Sequence, residues 1–355
     1  MIYVVVVLAI YALGMTLLWW RLKTQVAGHL DAMLEFQLLK RSQRGELPLS
    51  PSKTVDWDAA QDEPEIIDKA NEAMRLHQTF QKFVPRQFVD HFDKGGADKL
   101  ALGYADEDEV AVMFCDIRGF TGLSERLSPQ ELMNFLNSYF LRMNAPIHAN
   151  NGFIDKFIGD AIMALFDHPT GSSADKAADA VRAALDLQKA LRLYNDHRSH
   201  SGYHTIKNGI GLHIGPVVIG TVGSDDRMDT TVIGDSVNIT QRIEAMTEQL
   251  NVDILASRDL CDAAYSTFRF AHRLVDNIVL KGKTTSIELI EIFEHETVEE
   301  IARKQSTAAT IKEGIALREA KKYEQALALF CQAYQEHQDD KVFAHHIDVC
   351  QKLLS

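Results

Sequence analysis

The chain has 355 residues, 46% of them hydrophobic, with a formal net charge of −13; that length accommodates about two domains and that apolar content one sizeable core. The acidic balance, with a sequence pI near 5.5, argues against a nucleic-acid partner, which needs a basic face. The four cysteines, Cys115, Cys261, Cys331 and Cys350, form no C-x-x-C pair and no metal-ligand spacing, so no disulfide framework is expected.

Residues 1–20 are nearly all apolar and carry no charge. At about 1.5 Å per residue they span roughly 30 Å, the hydrocarbon core of a bilayer. Trp19 and Trp20 suit the interface, and Arg21 and Lys23 follow at once, which places the positive side C-terminal. The expectation is a single-pass helix in the cell (inner) membrane, with the remainder of the chain cytoplasmic. A secretory signal peptide is the competing reading; the missing basic n-region and small-residue cleavage site count against it.

Residues 21–64 read as a juxtamembrane amphipathic helix followed by a proline-containing linker. In 65–104, Ile66, Ala70, Ala73, His77, Phe80 and Val84 alternate spacings of four and three. Two readings stand: a short coiled-coil-like connector, or a helix packing one-sidedly on its own domain. Pro85 ends or kinks that helix.

From Asp106 onward strand and helix patterns alternate. Strands are predicted over 109–115, 152–158, 161–166, 207–214, 217–221, 252–256, 268–280 and 287–293, and helices over 129–149, 174–197, 236–250 and 257–264. Ser128, Pro129 and Glu131 supply a helix start. Residues 299–355 form a helical tail, in which Gly314, Tyr323, Ala326, Phe330 and Ala333 resemble one tetratricopeptide (TPR-like) helix pair. A lone repeat cannot bury its own apolar face, so the tail is expected to pack on the preceding domain or on a second chain. Its role is a structural cap or a site for a protein partner.

Two apolar runs end in an aspartate beside a turn: Val112–Phe114 leads through Cys115 to Asp116, and Phe157-Ile158-Gly159 leads to Asp160. A carboxylate at a strand end loses solvation unless a partner offsets it. Two converging carboxylates make the hard, all-oxygen site that Mg²⁺ or Mn²⁺ takes. Either aspartate alone would read as a turn cap, and Cys115 within the apolar run reads as a small core residue.

Together, F-x-D-I-x-G-F-T ending at Thr121, K-x-x-G-D-A from Lys156, T-V-I-G-D-S-V-N from Thr231, and Lys281-Gly282-Lys283 resemble the class III nucleotidyl cyclase catalytic domain. The similarity runs from about residue 80 to about residue 296, roughly sixty per cent of the chain, and the catalytic domain is assigned to 105–298. It implies a ferredoxin-like α/β (α+β) sheet with helices on one face. It implies conversion of ATP to 3′,5′-cyclic AMP and pyrophosphate in signal transduction. Two Mg²⁺ (or Mn²⁺) per active site would be held by Asp116, Asp160 and the Ile117 carbonyl, and Gly119, Phe120 and Thr121 would face the phosphates. Asn238 and Arg242, four apart on a helix, share a face and match the residues that orient the ribose and meet charge on the α-phosphate. Lys281 matches the triphosphate-binding lysine; Arg227 is a further candidate at the same rim.

Lys156 and Thr231 fall at the purine-reading positions. An ammonium only donates, which suits the acceptor N1 of adenine and opposes the N–H of guanine. Thr231 departs from the aspartate most adenylate cyclases carry there, and neither the Glu nor the Cys of guanylate cyclases is present. The Lys/Thr pairing resembles a subgroup that includes cyanobacterial and mammalian soluble adenylate cyclases, many of them responsive to bicarbonate. In this family one active site draws its metal and purine residues from different subunits, so the similarity implies a homodimer with shared sites. Alternatives are a guanylate cyclase and a catalytically inactive cyclase-like dimeric scaffold; no Gly-Gly-Asp/Glu-Glu-Phe segment supports a diguanylate cyclase.

Overall fold

Strand β1 (Ala105–Ile117) is the axis of an eight-stranded sheet. The computed structural model describes residues 105–168, 171–224, 226–279 and 286–355, together with Glu72 and Arg75. The chain divides into two units, Met1–Phe83 and Val84–Ser355. In the first, Glu72 and Arg75 are helical and exposed, within the stretch read as a helical connector. The expected bilayer helix (1–20), the segment 21–64 and most of the connector lie outside the described residues. Among the described residues no helix is long and apolar enough to cross a membrane.

The second unit continues through α1 (Phe120–Ser124), α2 (Pro129–Ala149), β2 (Phe153–Ile158), β3 (Ala161–Phe166), α3 (Ser173–His200), β4 (Asn208–Ser224) and β5 (Arg227–Ile233). Then follow α4 (Asp235–Leu250), β6 (Ile254–Ser257), α5 (Arg258–Tyr265), β7 (His272–Val279), β8 (Ser286–Ile292), α6 (Val298–Glu319), α7 (Tyr323–Glu336) and α8 (Lys341–Leu354). Sheet order is β2-β3-β1-β4-β6-β8-β7, with β5 also on β4. The β4–β6 pair is parallel and every other pair antiparallel.

Helix α2 begins as its sequence dictates. The Ser128 hydroxyl caps the Glu131 N–H, Glu131 returns a bond to the Ser128 N–H, and Pro129 takes the first turn, where its missing N–H is no loss. The two strands read at 207–214 and 217–221 are one strand, β4, running through Pro216. Arg118 N–H donates to Lys207 O, so Pro216, paired with Glu109, is in a non-bonded pair and its nitrogen points away from β1. On that side the pairing with β6 ends at Leu212 and the pairing with β5 starts at Val218, so no donor is missed there.

The expectation of helices on one face is corrected. Ile210, Leu212, Ile254, Ala256, Ile290 and Ile292 join the core under α2, α3 and α5, whereas Leu255 and Leu289 pack with Ile239 and Ile243 of α4 and with the tail. Both faces of β6 and β8 are apolar, and both are covered. The tail, expected over 299–355, starts at Val298 and closes the second face through Ile311, Phe330 and Phe343.

Candidate active site

Asp116 is the next-to-last residue of β1 and Asp160 follows Gly159 in the two-residue turn between β2 and β3. Gly159 has φ 66°, the left-handed region where a side chain is strained, so the tight hairpin depends on glycine there. The β1–β3 register pairs Cys115 with Ile162; continued by one pair of residues, it brings Ile117 level with Asp160. The Arg118–Lys207 bond turns the Ile117 N–H and C=O away from β4, to the side where Asp160 lies.

The two carboxylates lie within hydrogen-bonding reach of one another. Burial first, and then the neighbouring Asp116, pushes Asp160 up to about 7. Asp160 Oδ2 is buried without a hydrogen-bond partner among the described residues, while Asp116 Oδ1 accepts from Ile117 N–H at 3.0 Å. A third acid, Glu244 of α4, is pushed up to about 7 by burial and by Asp116. Sequence reading missed it, because its α4 position signals nothing until α4 is laid across β4. A Cβ on Gly211 would stand 2.4 Å from the Glu244 backbone nitrogen, so glycine is what admits the helix so close. Among the described residues Arg118 is the cation that acts on Glu244, and Asp160 Oδ2 keeps no hydrogen-bond partner; Asp116, Asp160 and the Ile117 carbonyl fit a hard divalent ion.

Below Asp116 the strand end is rigidly seated. Asn208 Nδ2 donates to the Tyr139 hydroxyl (3.0 Å) and to Cys115 Sγ (3.2 Å), and its Oδ1 accepts from Gln188 (2.8 Å). Burial pushes the Cys115 thiol up to about 12, consistent with an inert core residue.

Lys156 and Thr231, far apart in sequence, meet: Lys156 Nζ donates to Thr231 Oγ1 at 2.8 Å. Asp155 Oδ2 lies 3.5 Å from the same ammonium and Asp229 Oδ2 4.0 Å. Burial raises Asp155 to about 6 against the lowering effect of Lys156. The strand that carries Thr231, β5, was not predicted; its run of Arg, Asp and two Thr hides the period-two pattern.

Gly119 is the left-handed N-cap of α1, which carries Phe120 and Thr121 next to Asp116. Asn238 and Arg242 share a face of α4 and are exposed, as is Arg227 at the start of β5. Lys281 and Lys283 lie outside the described residues. Asp253, His295 and Glu296 form another cluster of potential ligands. Arg118 lies 3.9 Å from Asp253, and Lys304 pairs with Glu296, so cationic side chains already serve it.

The fold is thus a mixed α/β sheet that sets two carboxylates, Asp116 and Asp160, at strand ends and bonds Lys156 of β2 to Thr231 of β5. The sequence matches the family described as "Adenylate and Guanylate cyclase catalytic domain" over residues 103–292, and the chain belongs to that family. An adenylate cyclase of Anabaena cylindrica is 40% identical over 228 residues, 62% of this chain and 44% of that protein. A Dictyostelium discoideum adenylate cyclase, described as terminal-differentiation specific, is 30% identical over 310 residues, 86% of this chain and 14% of that protein. The chain thus spans less than half the length of these relatives. Among solved structures, a bacterial light-regulated adenylyl cyclase aligns with TM-score 0.57 at 25% identity, covering 69% of this chain and 70% of that one.

Proposed function

We propose that this chain is an adenylate cyclase that converts ATP to 3′,5′-cyclic AMP and pyrophosphate at sites shared between two copies. The observation that carries the reading is the opposed pair Asp116 and Asp160, part-buried, with Asp160 Oδ2 lacking a hydrogen-bond partner among the described residues. Asp116, Asp160 and the Ile117 carbonyl would hold two Mg²⁺ or Mn²⁺. When bound, these ions supply Lewis-acid activation of the ribose 3′-hydroxyl and neutralise triphosphate charge.

The chain's own groups do the rest by positioning and charge. The backbone N–H groups of Gly119, Phe120 and Thr121 face the phosphates. Lys156, held by Thr231, donates to adenine N1; the Thr231 hydroxyl can donate as well as accept, so purine choice rests on Lys156. Asn238 orients the ribose, Arg242 meets charge on the α-phosphate, and Lys281 binds the triphosphate.

The dimeric arrangement is supported by apolar side chains left exposed on β2 and β5, Phe157, Ile158, Met228 and Ile233, at 48–56% exposure. The exposure of Asn238 and Arg242 suits residues that serve a partner's metal site. Residues 1–20 are read as a bilayer anchor ahead of a cytoplasmic catalytic domain at 105–298, and 299–355 as a TPR-like tail able to meet a protein partner. A bicarbonate response, as in the Lys/Thr subgroup, belongs to the same reading; a flat activity curve against bicarbonate at fixed pH removes it.

The experiment is cyclic nucleotide production by purified protein with Mn²⁺ or Mg²⁺, comparing ATP with GTP. Faster turnover of ATP is expected; preferential use of GTP selects the guanylate cyclase, and no product from either selects the inactive scaffold.

A further inference from the structure

A cavity of about 960 Å³ lies between α1, α2, the C-terminal end of α3 and the segment 201–207 that leads into β4. It lies among the helices, apart from the proposed purine-reading pair. In a chain of net charge −13 its wall is basic. Arg126, Arg142, Arg198 and Lys207 line it beside a single carboxylate, Glu131. That carboxylate is already engaged, because Glu131 Oε2 accepts from the Ser128 N–H (2.9 Å) and hydroxyl (2.6 Å) to close the α2 cap.

The arginines are held by neutral acceptors. Arg126 Nε donates to Gly122 O, Arg142 Nη1 to Ser138 O and Oγ, and Arg198 Nε to His204 O, each at 2.8 Å. A guanidinium carries five donors, so each keeps N–H groups for the cavity. Arg198 is only 9% exposed. Its guanidinium is caged by the rings of Phe135 (5.0 Å), Tyr194 (5.5 Å) and Tyr203 (5.6 Å), which fixes a cation in place without neutralising it. Tyr203 is itself 63% exposed at the rim.

Cations gathered without carboxylates repel one another, and an anion that pairs with them removes that cost. We propose that this cavity is a binding site for a phosphorylated small molecule, its phosphate oxygens meeting Arg126, Arg142 and Lys207 and any ring it carries lying on Tyr203. Arg118 and Gly119 belong to the same wall and directly follow Asp116 and Ile117, so occupancy bears on the turn beside the carboxylate pair. That regulatory consequence rests on the proposed cyclase reading; the binding itself does not.

The test is calorimetric titration of the full chain with inorganic phosphate, pyrophosphate and AMP in the presence of EDTA. Arg126, Arg142 and Lys207 are exposed, so their replacement leaves the fold intact, which circular dichroism checks. Pyrophosphate affinity is expected to fall at least about tenfold in Arg126→Ala/Arg142→Ala, since charge-assisted bonds to the anion go with the two guanidinium groups. It should fall in Lys207→Gln and stay unchanged in Arg242→Ala. AMP binding tighter than phosphate, with the gain lost in Tyr203→Ala, identifies a ring-bearing ligand; equal affinities identify the inorganic anion. No measurable binding of any probe, loss of binding in Arg242→Ala, or indifference to Arg126→Ala/Arg142→Ala overturns the proposal.

Discussion

Asp160 and Lys156 are placed by one hairpin and both stand among acids, which repel the first and pair with the second. Around Asp160 the acids Asp116 and Glu244 crowd together, and like charges at such range favour loss of one of them. Asp160→Asn removes a repelling charge without changing shape. In EDTA the variant is expected to unfold at higher temperature than wild type, by the equivalent of about 1 kcal/mol once solvent screening is allowed for. The proposed cyclase activity should fall about a thousandfold, because several kcal/mol of metal-assisted stabilisation go with the ligand. Calorimetry and product assay on the same preparation check both; activity lost together with stability would point to a fold defect instead. At Lys156 the surroundings are acidic in a way that restricts substitution. A glutamate there would join Asp155 and Asp229, now 3.5 and 4.0 Å from the ammonium, so Lys156→Met is the cleaner probe. It should reduce the preference for ATP over GTP by about ten- to hundredfold, the scale of one mismatched buried donor, read from kcat/KM for the two nucleotides.

At the scale of elements, the tail is bound to the sheet by buried charge as well as by apolar contact. Arg273 of β7 is fully buried and pairs with Glu291 of β8 at 2.7 Å and with Asp340, the N-cap of α8. Arg273→Ala leaves two buried carboxylates facing no guanidinium and should cost about 3–5 kcal/mol in denaturant unfolding. His346 of α8 adds pH dependence. Its Nε2 lies 2.8 Å from Val275 O, its Nδ1 lies 3.0 Å from Arg318 Nη1, and its ring stacks on Phe330 at 4.5 Å. Arg318 can only donate, so Nδ1 accepts and the ring is neutral. Burial first, with Arg318 and His345 adding to it against Asp276, pulls His346 down to about 4 from 6.5. The unfolded chain therefore binds the extra proton first. The stabilisation is complete above about pH 6.5 and is lost as pH falls toward 4, by about 3 kcal/mol in all. His346→Gln, which does not titrate, should flatten the dependence of Tm on pH between 6.5 and 5 while lowering Tm at pH 7.5.

These contacts also mark where sequence reading stopped. Helix α2 was legible to the residue, because Ser128, Pro129 and Glu131 are a local start signal that needs no tertiary partner. The carboxylate pair was legible because each aspartate ends an apolar run. Strand β5 was not, since Thr230 and Thr231 are held by pairing with Thr221 and Gly220 of β4 rather than by burial. Glu244, and the second helical face over Leu255 and Leu289, depend on strand order, which periodicity does not carry.

At the scale of the whole molecule, a division of labour between copies has a consequence that a self-contained site does not. Asp116 and Asp160 sit at the β1 and β2–β3 ends, whereas Asn238 and Arg242 stand exposed on α4. If one copy lends the first pair and its neighbour the second, each dimer has two sites. A chain carrying Asp116→Ala and a chain carrying Asn238→Ala are each inactive alone. Mixed in equal amounts with free exchange, half of the dimers pair one of each. In those, one site receives both lesions and the other receives none. The mixture should therefore regain about a quarter of the wild-type activity per chain, as random pairing dictates for a closed twofold dimer. Size-exclusion chromatography coupled to light scattering establishes that mixed dimers form, and cyclic AMP output is measured on the same sample. Residues meeting within one chain would instead leave every mixed dimer with a damaged group in both sites, and activity would stay at the level of the separate variants.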